Sequence, residues 1–304
     1  MAALWNSAIA LLLITGGFLG LTLPFGKLAT NAGFAAPAWA LVISGGGGLV
    51  LLAALLVSGR GVGLAPHKLR YYAITAAISY AIPNILIFMV IPHLGAGYTG
   101  ILFTLSPVIT LMLSLVLGIR RPSALGIAGI VVGFAGAMLV ALTRGEAGRP
   151  AEFLWVGLGL LIPLSLAAGN IYRTADWPKD AGPIELAAGS NLVSALMLLG
   201  LMVVMFGAPP LGPVAGNIGL TLAQVAASAG MFVFFFRLQS VGGPVYLSQI
   251  GYVAAAIGLA SGTIFLGERY LLLTWLGAVI VGAGVALTTK AQATPPATRS
   301  AAKA

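Results

Sequence analysis

Long apolar runs separated by short polar stretches make up almost the whole chain. A window of roughly 19 residues and a spanning length of about 20 residues divide these runs into ten predicted membrane helices. The predicted spans are 7–28, 35–57, 71–92, 97–118, 123–143, 153–174, 183–206, 216–237, 243–266 and 270–289. The sequence therefore predicts an all-α membrane protein with ten transmembrane helices.

The two ends of the chain are interpreted separately. The first span lacks a preceding basic region, so it is predicted to be a retained helix and not a cleaved signal peptide. From Lys290 the chain reads KAQATPPATRSAAKA, which has too few apolar residues to fold alone. The predicted units are a first five-helix repeat at 1–145, a second at 146–289 and a disordered tail at 290–304.

The positions of the basic residues predict the orientation of the spans. With the N-terminus inside, eleven of the fifteen Lys and Arg residues fall in cytoplasmic loops or ends. The opposite orientation reverses that ratio. The positive-inside rule therefore predicts that both termini are cytoplasmic, in a bacterial-type inner membrane, and that the number of spans is even.

The end of the chain resembles a stretch near its middle. Segment 97–142 matches segment 244–289, and Gly136 falls opposite Gly284. Ten spans in two halves leave five in each half, and an odd number places the halves upside down relative to one another in the membrane. This inverted duplication is typical of transporters. The fifth and tenth spans are expected to pack through small residues, namely Gly129, Gly133, Gly136, Gly277, Gly282 and Gly284.

Composition and charge exclude several classes of protein. The chain is 60% hydrophobic and 7% charged, whereas a soluble domain carries roughly a quarter charged residues. The net charge of +9 comes from basic residues that sit singly in loops, which disfavours nucleic-acid binding. There is no cysteine, and His67 and His93 form no local metal motif. We expect no metal and no cofactor.

Two motifs carry a resemblance to a known family. LSPVITLMLSLVLGIRRPS, from Leu105, and VGGPVYLSQIGYVAAAIGLASGTIFLGERYLLLTWLGAVIVGAGVAL, from Val241, resemble the paired repeats of the drug/metabolite transporter superfamily, the EamA-type ten-helix exporters. Within it the chain is similar to YddG-type amino-acid exporters. The resemblance implies a central cavity lined by helices 1–4 and 6–9, with helices 5 and 10 outside it. The repeats differ where Ile119 stands opposite Glu268.

Polar residues inside the spans are the candidates for the cavity lining. A polar group that faces lipid is costly, so such residues usually face protein or water. Several share a helix face through spacings of three or four residues. The candidates are Tyr80, Asn84, Tyr98, Thr104, Asn170, Gln224, Ser228, Tyr246, Gln249 and Tyr252. The alternatives are hydrogen bonding between helices for the amides and interfacial anchoring for Tyr98 and Tyr246.

The charged residues narrow the predicted mechanism. None lies in the middle third of a predicted span, and Arg173 and Glu268 are expected to extend from span ends towards water. A proton-coupled pump needs a central carboxylate, and phosphate-ester exchange needs clustered cations. The sequence thus predicts a neutral cavity of amide and aromatic groups, suited to a small zwitterion.

Together these patterns predict an exporter of amino acids or related metabolites that works by alternating access, through facilitated diffusion. One alternative is an exporter of drugs, nucleosides or sugars with the same fold. A more distant one is a membrane-embedded lipid-processing enzyme, for which His93 is the one plausible base. Expected partners are a small-molecule substrate and the lipid bilayer, without nucleic acid; monomer and homodimer both remain open.

Overall fold

The computed structural model describes residues 5–117, 123–145, 147 and 150–293, apart from the side chains at 114, 242–246, 248, 285, 288–289 and 292–293. Over these residues the chain is all-helical, without strands. A short helix, Gly212–Gly216, precedes the eighth long one. The ten main helices are α1 (Ala8–Asn31), α2 (Ala36–Val57), α3 (Pro66–Leu94), α4 (Ala96–Phe103 and Ser106–Val116), α5 (Ala124–Thr143), α6 (Phe153–Ala175), α7 (Pro183–Phe206), α8 (Ile218–Ser248), α9 (Ile250–Ile264) and α10 (Leu272–Ala293).

The helices have the length and surface of a membrane protein. Eight of those described are long and apolar enough to cross a bilayer, and α9 and Leu272–Gly284 of α10 are shorter apolar helices. Large apolar side chains face outward; Val204 is 85% exposed and Phe265 is 81% exposed. Such a surface is favourable against lipid and unfavourable against water. The prediction of an all-α, multi-pass membrane protein is confirmed.

The helix boundaries differ from the predicted spans at three places. The fourth helix is interrupted between Phe103 and Ser106, because Pro107 has no N–H and is tolerated only in the first turn of the segment that follows. The eighth helix continues beyond the predicted end at 237 to Ser248, so the break before α9 falls at Gln249. The last helix extends to Ala293, into the predicted tail.

The helix contacts follow a pattern of exchange between the two halves. Helix α1 packs against α8 and α9, and α6 packs against α3 and α4. The pairs α2 with α7, α4 with α9 and α5 with α10 also pack together. A twofold relation between helices 1–5 and 6–10 produces this set of contacts. The division into two repeats remains a prediction that these contacts favour.

A seam of small residues joins α5 to α10. A Cβ atom added at Gly284 would lie 2.3 Å from the backbone nitrogen of Gly133, and one at Gly136 would lie 2.6 Å from that of Val281. Backbones this close accept only glycine. The expectation for Gly282 is wrong, because a Cβ atom there would meet open space.

Candidate functional site

A cavity lies where α1, α2, α3, α4, α6, α8 and α9 converge, inside the bundle. About 70 Å³ is open to the centres of water-sized molecules, which is room for several waters. The α5–α10 seam lies outside it. These helices are among those that the family resemblance implies as lining helices, so both halves of the chain contribute to the cavity.

The lining of the cavity combines polar and aromatic groups. Helices α3 and α6 contribute hydroxyl, amide and guanidinium groups, through Ser79, Tyr80, Asn84, Asn170 and Arg173. Phenylalanine rings come from α4 and α8, through Phe103, Phe232 and Phe235. A solute with a polar part and an apolar part would find contacts for both.

Arg173 is the charged residue among the described residues that line the cavity, and it is only 2% exposed. Its guanidinium donates hydrogen bonds to Asn170 Oδ1 at 2.6 Å, to Gln239 Oε1 at 3.3 Å and to Ser79 Oγ. The guanidinium carbon also lies 4.9 Å from the centroid of the Phe235 ring, a cation–π contact. Arg173 therefore links α3, α6 and α8 at the cavity wall.

The local structure of α3 presents two of these polar residues. The backbone widens into a π-helical turn over Ala76–Ala81, which contains Ser79 and Tyr80, and Pro83 follows within the first turn of regular helix. The Ser165 hydroxyl of α6 donates a 2.6 Å hydrogen bond to the carbonyl of Ile78 within this turn. A π-helical turn changes the direction of side chains and is frequent at functional sites.

Three of the sequence-predicted site residues line the cavity. Asn84 and Asn170 contribute amides, and Tyr80 packs edge-on against Phe232 at 5.2 Å between ring centroids. The Tyr80 side chain is 5% exposed, and its hydroxyl has no hydrogen-bond partner among the residues described. A buried hydroxyl without a partner is costly, so a bound solute or water would satisfy it.

Four other predicted residues are buried in helix contacts instead of at the cavity. The Tyr98 hydroxyl donates to the carbonyl of Val140 at 3.0 Å, and Thr104 donates to the carbonyl of Ile101 at 2.6 Å. Gln224 donates to Ser228 Oγ at 2.9 Å, and both side chains are fully buried. The Tyr98 hydrogen bond joins α4 to α5, whereas those of Thr104 and Gln224 lie within their own helices, and none of these four residues lines the cavity.

The last three predicted residues lie around the start of α9. Gln249 is partly buried at the break before this helix, and Tyr252 packs against the apolar core. Neither is among the residues that line the cavity. The side chain of Tyr246 lies outside the described residues.

The prediction of a neutral cavity, with Arg173 and Glu268 extending towards water, is wrong. Arg173 lines the cavity, and Glu268 is 4% exposed. Proximity to the end of a span does not decide burial, because neighbouring helices can enclose that end. One signal was present in the sequence: Asn170 and Arg173 are three residues apart and so share a face of α6.

Glu268 binds the start of α4. Its carboxylate accepts hydrogen bonds from the backbone nitrogens of Ala96 at 2.8 Å and Gly97 at 3.1 Å, and from the hydroxyl of Tyr270. Lys27 Nζ lies 3.7 Å away. The first N–H groups of a helix lack partners within it and attract negative charge. Glu268 thus caps α4 from the loop after α9.

A cluster of ion pairs joins the two halves where α3 and α7 begin. Lys68 Nζ contacts Glu185 at 2.9 Å and Asp180 at 3.2 Å. Beside it, Arg70 binds Asp176 through hydrogen bonds of 2.7 and 3.0 Å. Asp176 is the acidic residue nearest to Arg173 in sequence, and its carboxylate is engaged with Arg70 and with the hydroxyl of Tyr172.

The candidate catalytic base has a packing role. The His93 imidazole stacks on Trp155, with 3.7 Å between ring centroids and 9° between the ring planes. No group of three or more acidic or imidazole side chains that could hold a metal ion occurs within the described part of the chain.

Comparison with known proteins agrees with this architecture. The model of the EamA-like transporter family matches residues 6–142, which supports membership of the drug/metabolite transporter superfamily and points to a transporter and not to an enzyme. No curated protein matches the chain. The alignment with one solved crystal structure covers 91% of this chain and 98% of the other chain, with a TM-score of 0.61 and 17% sequence identity. At this identity the likeness shows the fold alone.

Proposed function

We propose that this protein exports amino acids or related small metabolites across a bacterial inner membrane, and the match of the EamA-like transporter family over residues 6–142 supports a membrane transporter of the drug/metabolite type. The observation that carries the proposal is the central cavity, which both halves of the chain line and whose lining combines hydroxyl, amide and guanidinium groups with phenylalanine rings. An amino acid offers matching parts, with charged groups at one end and a side chain at the other.

Alternating access is the proposed mechanism. The two five-helix halves rock against each other about the cavity, so that it opens to one side of the membrane at a time. The exchange of helix contacts between the halves, with α1 on α8 and α9 and α6 on α3 and α4, supports a twofold relation on which such a motion would depend. The ion pairs of Lys68 with Asp180 and Glu185 would close one end.

Facilitated diffusion is the proposed mode of transport. Within the described residues, no Asp, Glu or His lines the cavity to carry a proton, and the guanidinium of Arg173 does not deprotonate in proteins. The solute would therefore move down its own gradient. The positive-inside pattern supports an orientation with both termini in the cytoplasm.

Counterflow into proteoliposomes tests the proposal. Purified protein is reconstituted with an unlabelled L-amino acid inside, and uptake of the labelled compound is followed without a pH difference. We expect transient accumulation of label. Uptake that occurs only with an imposed pH difference would refute facilitated diffusion. Competition by drugs, nucleosides or sugars, but not by amino acids, would show that the substrate belongs to one of those classes instead.

A further inference from the structure

The cavity carries a positive charge that no ion pair among the described residues neutralises. Arg173 is 2% exposed, and none of the ion pairs among the described residues includes it. Its three side-chain partners, on Ser79, Asn170 and Gln239, are a hydroxyl and two amides, all uncharged. An isolated charge away from water is costly unless a counter-charge accompanies it.

The hydrogen bonding of Arg173 leaves capacity for a ligand. A guanidinium has five N–H donors in a planar fork, and the three partners named above account for three of them. The hydroxyl of Tyr80 lines the same cavity, is buried and has no partner among the described residues. A donor fork and an unsatisfied hydroxyl thus border one space.

The shape of these donors selects an anion. The guanidinium fork matches the two oxygens of a carboxylate and binds them more strongly than it binds neutral acceptors. A phosphate ester would bring close to two negative charges, but Arg173 is the only Lys or Arg among the described residues that line the cavity. The same lining contains Phe103, Phe232 and Phe235, and the Phe235 ring lies 4.9 Å from the Arg173 guanidinium carbon, so apolar surface borders the donors.

A zwitterion is not the best match for this cavity. Its ammonium group would require a carboxylate or several free carbonyls, and no acidic side chain is found among the described lining residues. A monocarboxylate without an ammonium group leaves no charge unpaired.

We propose that Arg173 binds the carboxylate of the transported solute, and that the preferred solutes are organic monocarboxylates with an apolar body, which bind more tightly than the corresponding zwitterions. This inference rests on the proposed export function and narrows its substrate class. Tyr80 adds a hydrogen bond to the same carboxylate, and the lining phenylalanine rings contact the apolar body.

Four compounds with one phenyl body test the assignment. They are 3-phenylpropionate, which has the carboxylate alone; L-phenylalanine, which has both charges; 3-phenylpropanamide, which has neither; and phenethylamine, which has the ammonium alone. Each is measured as a competitor in counterflow and by ligand-induced stabilisation of the purified protein. For the wild type we expect 3-phenylpropionate to bind most tightly, L-phenylalanine next, and the amide and amine roughly 10- to 100-fold more weakly than the acid, the worth of one charge-assisted contact.

Substitutions then connect this preference to one side chain. In Arg173→Gln the acid and the amide should bind within about threefold of each other, whereas Arg173→Lys should keep part of the preference because the charge remains. Arg237→Gln is the matched control, since that guanidinium bonds to Trp5 and Asn6 outside the cavity. The ratio of acid to amide affinity does not depend on how much protein is folded, so it separates recognition from a loss of stability.

Three results would overturn the proposal. If the wild type binds 3-phenylpropionate and 3-phenylpropanamide equally well, Arg173 does not recognise a carboxylate. This result would refute the proposal even if Arg173→Gln cannot be purified. If Arg173→Gln keeps the full preference for the acid over the amide, another residue recognises the carboxylate, and the proposed transport function is unaffected. If L-phenylalanine binds more tightly than 3-phenylpropionate, the preferred solute is a zwitterion and not a monocarboxylate. Failure of the proposed function is different: no L-amino acid and no monocarboxylate would then show counterflow at all.

Discussion

Replacing Glu268 by Gln tests whether a single buried carboxylate holds the start of α4. The side chain is 4% exposed, and its two oxygens accept from two backbone N–H groups and one tyrosine hydroxyl. Glutamine has nearly the same shape but only one acceptor oxygen, with an NH₂ group in place of the other. With the amide oxygen turned towards Ala96, the Gly97 N–H keeps only its 3.0 Å hydrogen bond to the Tyr270 hydroxyl; with the oxygen turned towards Gly97, the Ala96 N–H loses its acceptor.

The magnitude follows from the two effects that are lost. A buried N–H left without an acceptor costs roughly 1–3 kcal/mol. Loss of the negative charge at a partly buried helix N-terminus costs up to about 2 kcal/mol. The Lys27 ammonium, 3.7 Å away and 16% exposed, also loses its ion pair, and this loss adds to the cost because both side chains are largely buried. We expect Glu268→Gln to lower the free energy of unfolding by about 2–4 kcal/mol.

Reversible unfolding in mixed detergent micelles measures this difference by far-ultraviolet circular dichroism. Glu152→Gln is the control, because Glu152 also precedes a helix but is exposed and makes no capping hydrogen bond with its side chain. We expect that variant to change stability by less than about 0.5 kcal/mol. If the two variants unfold together, the capping role assigned to Glu268 is incorrect.

Three further predictions use the same unfolding assay, and the one on the two tyrosines adds the counterflow measurement. Gly284→Ala places a Cβ atom 2.3 Å from a backbone nitrogen of α5 and should cost about 1–3 kcal/mol, whereas Gly282→Ala, which meets open space, should be neutral or stabilising. Tyr98→Phe loses a buried hydrogen bond, about 1 kcal/mol, without altering counterflow, whereas Tyr80→Phe keeps its stability and weakens competition by 3-phenylpropionate. Hydrogen bonds from an imidazole and then an ammonium lower the pKa of Asp180 from 3.8. Its contribution to stability is therefore present above about pH 4 and lost as the pH falls through the lowered value, so Asp180→Asn should differ from wild type at about pH 6, and the difference should shrink as the pH falls below about 4.

Each of these predictions has an opposite outcome. Equal effects at the two glycines would contradict the packing of α5 on α10. A transport defect in Tyr98→Phe with none in Tyr80→Phe would exchange the roles of the two tyrosines. A difference between Asp180→Asn and the wild type that persists at low pH would show that the carboxylate is not stabilised in its charged form.

The hydropathy and length of the apolar runs predicted most of the helices, because a membrane requires each span to satisfy its own backbone hydrogen bonds. The boundaries near Pro107 and Gln249 were less predictable, since the first depends on how the chain accommodates a missing N–H and the second on helical residues that continue through two glycines. Among the site residues, Tyr80, Asn84 and Asn170 could be found from polarity within spans. Polarity alone could not separate them from Tyr98 or Gln224, whose hydrogen bonds lie between or within packed helices.

The sequence by itself determined that this protein is a bundle of apolar helices, that its last segment resembles a segment near its middle and that it resembles a transporter family. These properties depend on composition and on the order of residues along the chain, which are local. Only the tertiary structure decided which polar groups share one space. Arg173 and Glu268 both stand near the ends of predicted spans, yet one reaches the cavity and the other caps a helix from the opposite half of the chain. The physical reason is that burial and charge pairing depend on which helices pack around a residue, and helices far apart in sequence supply those neighbours.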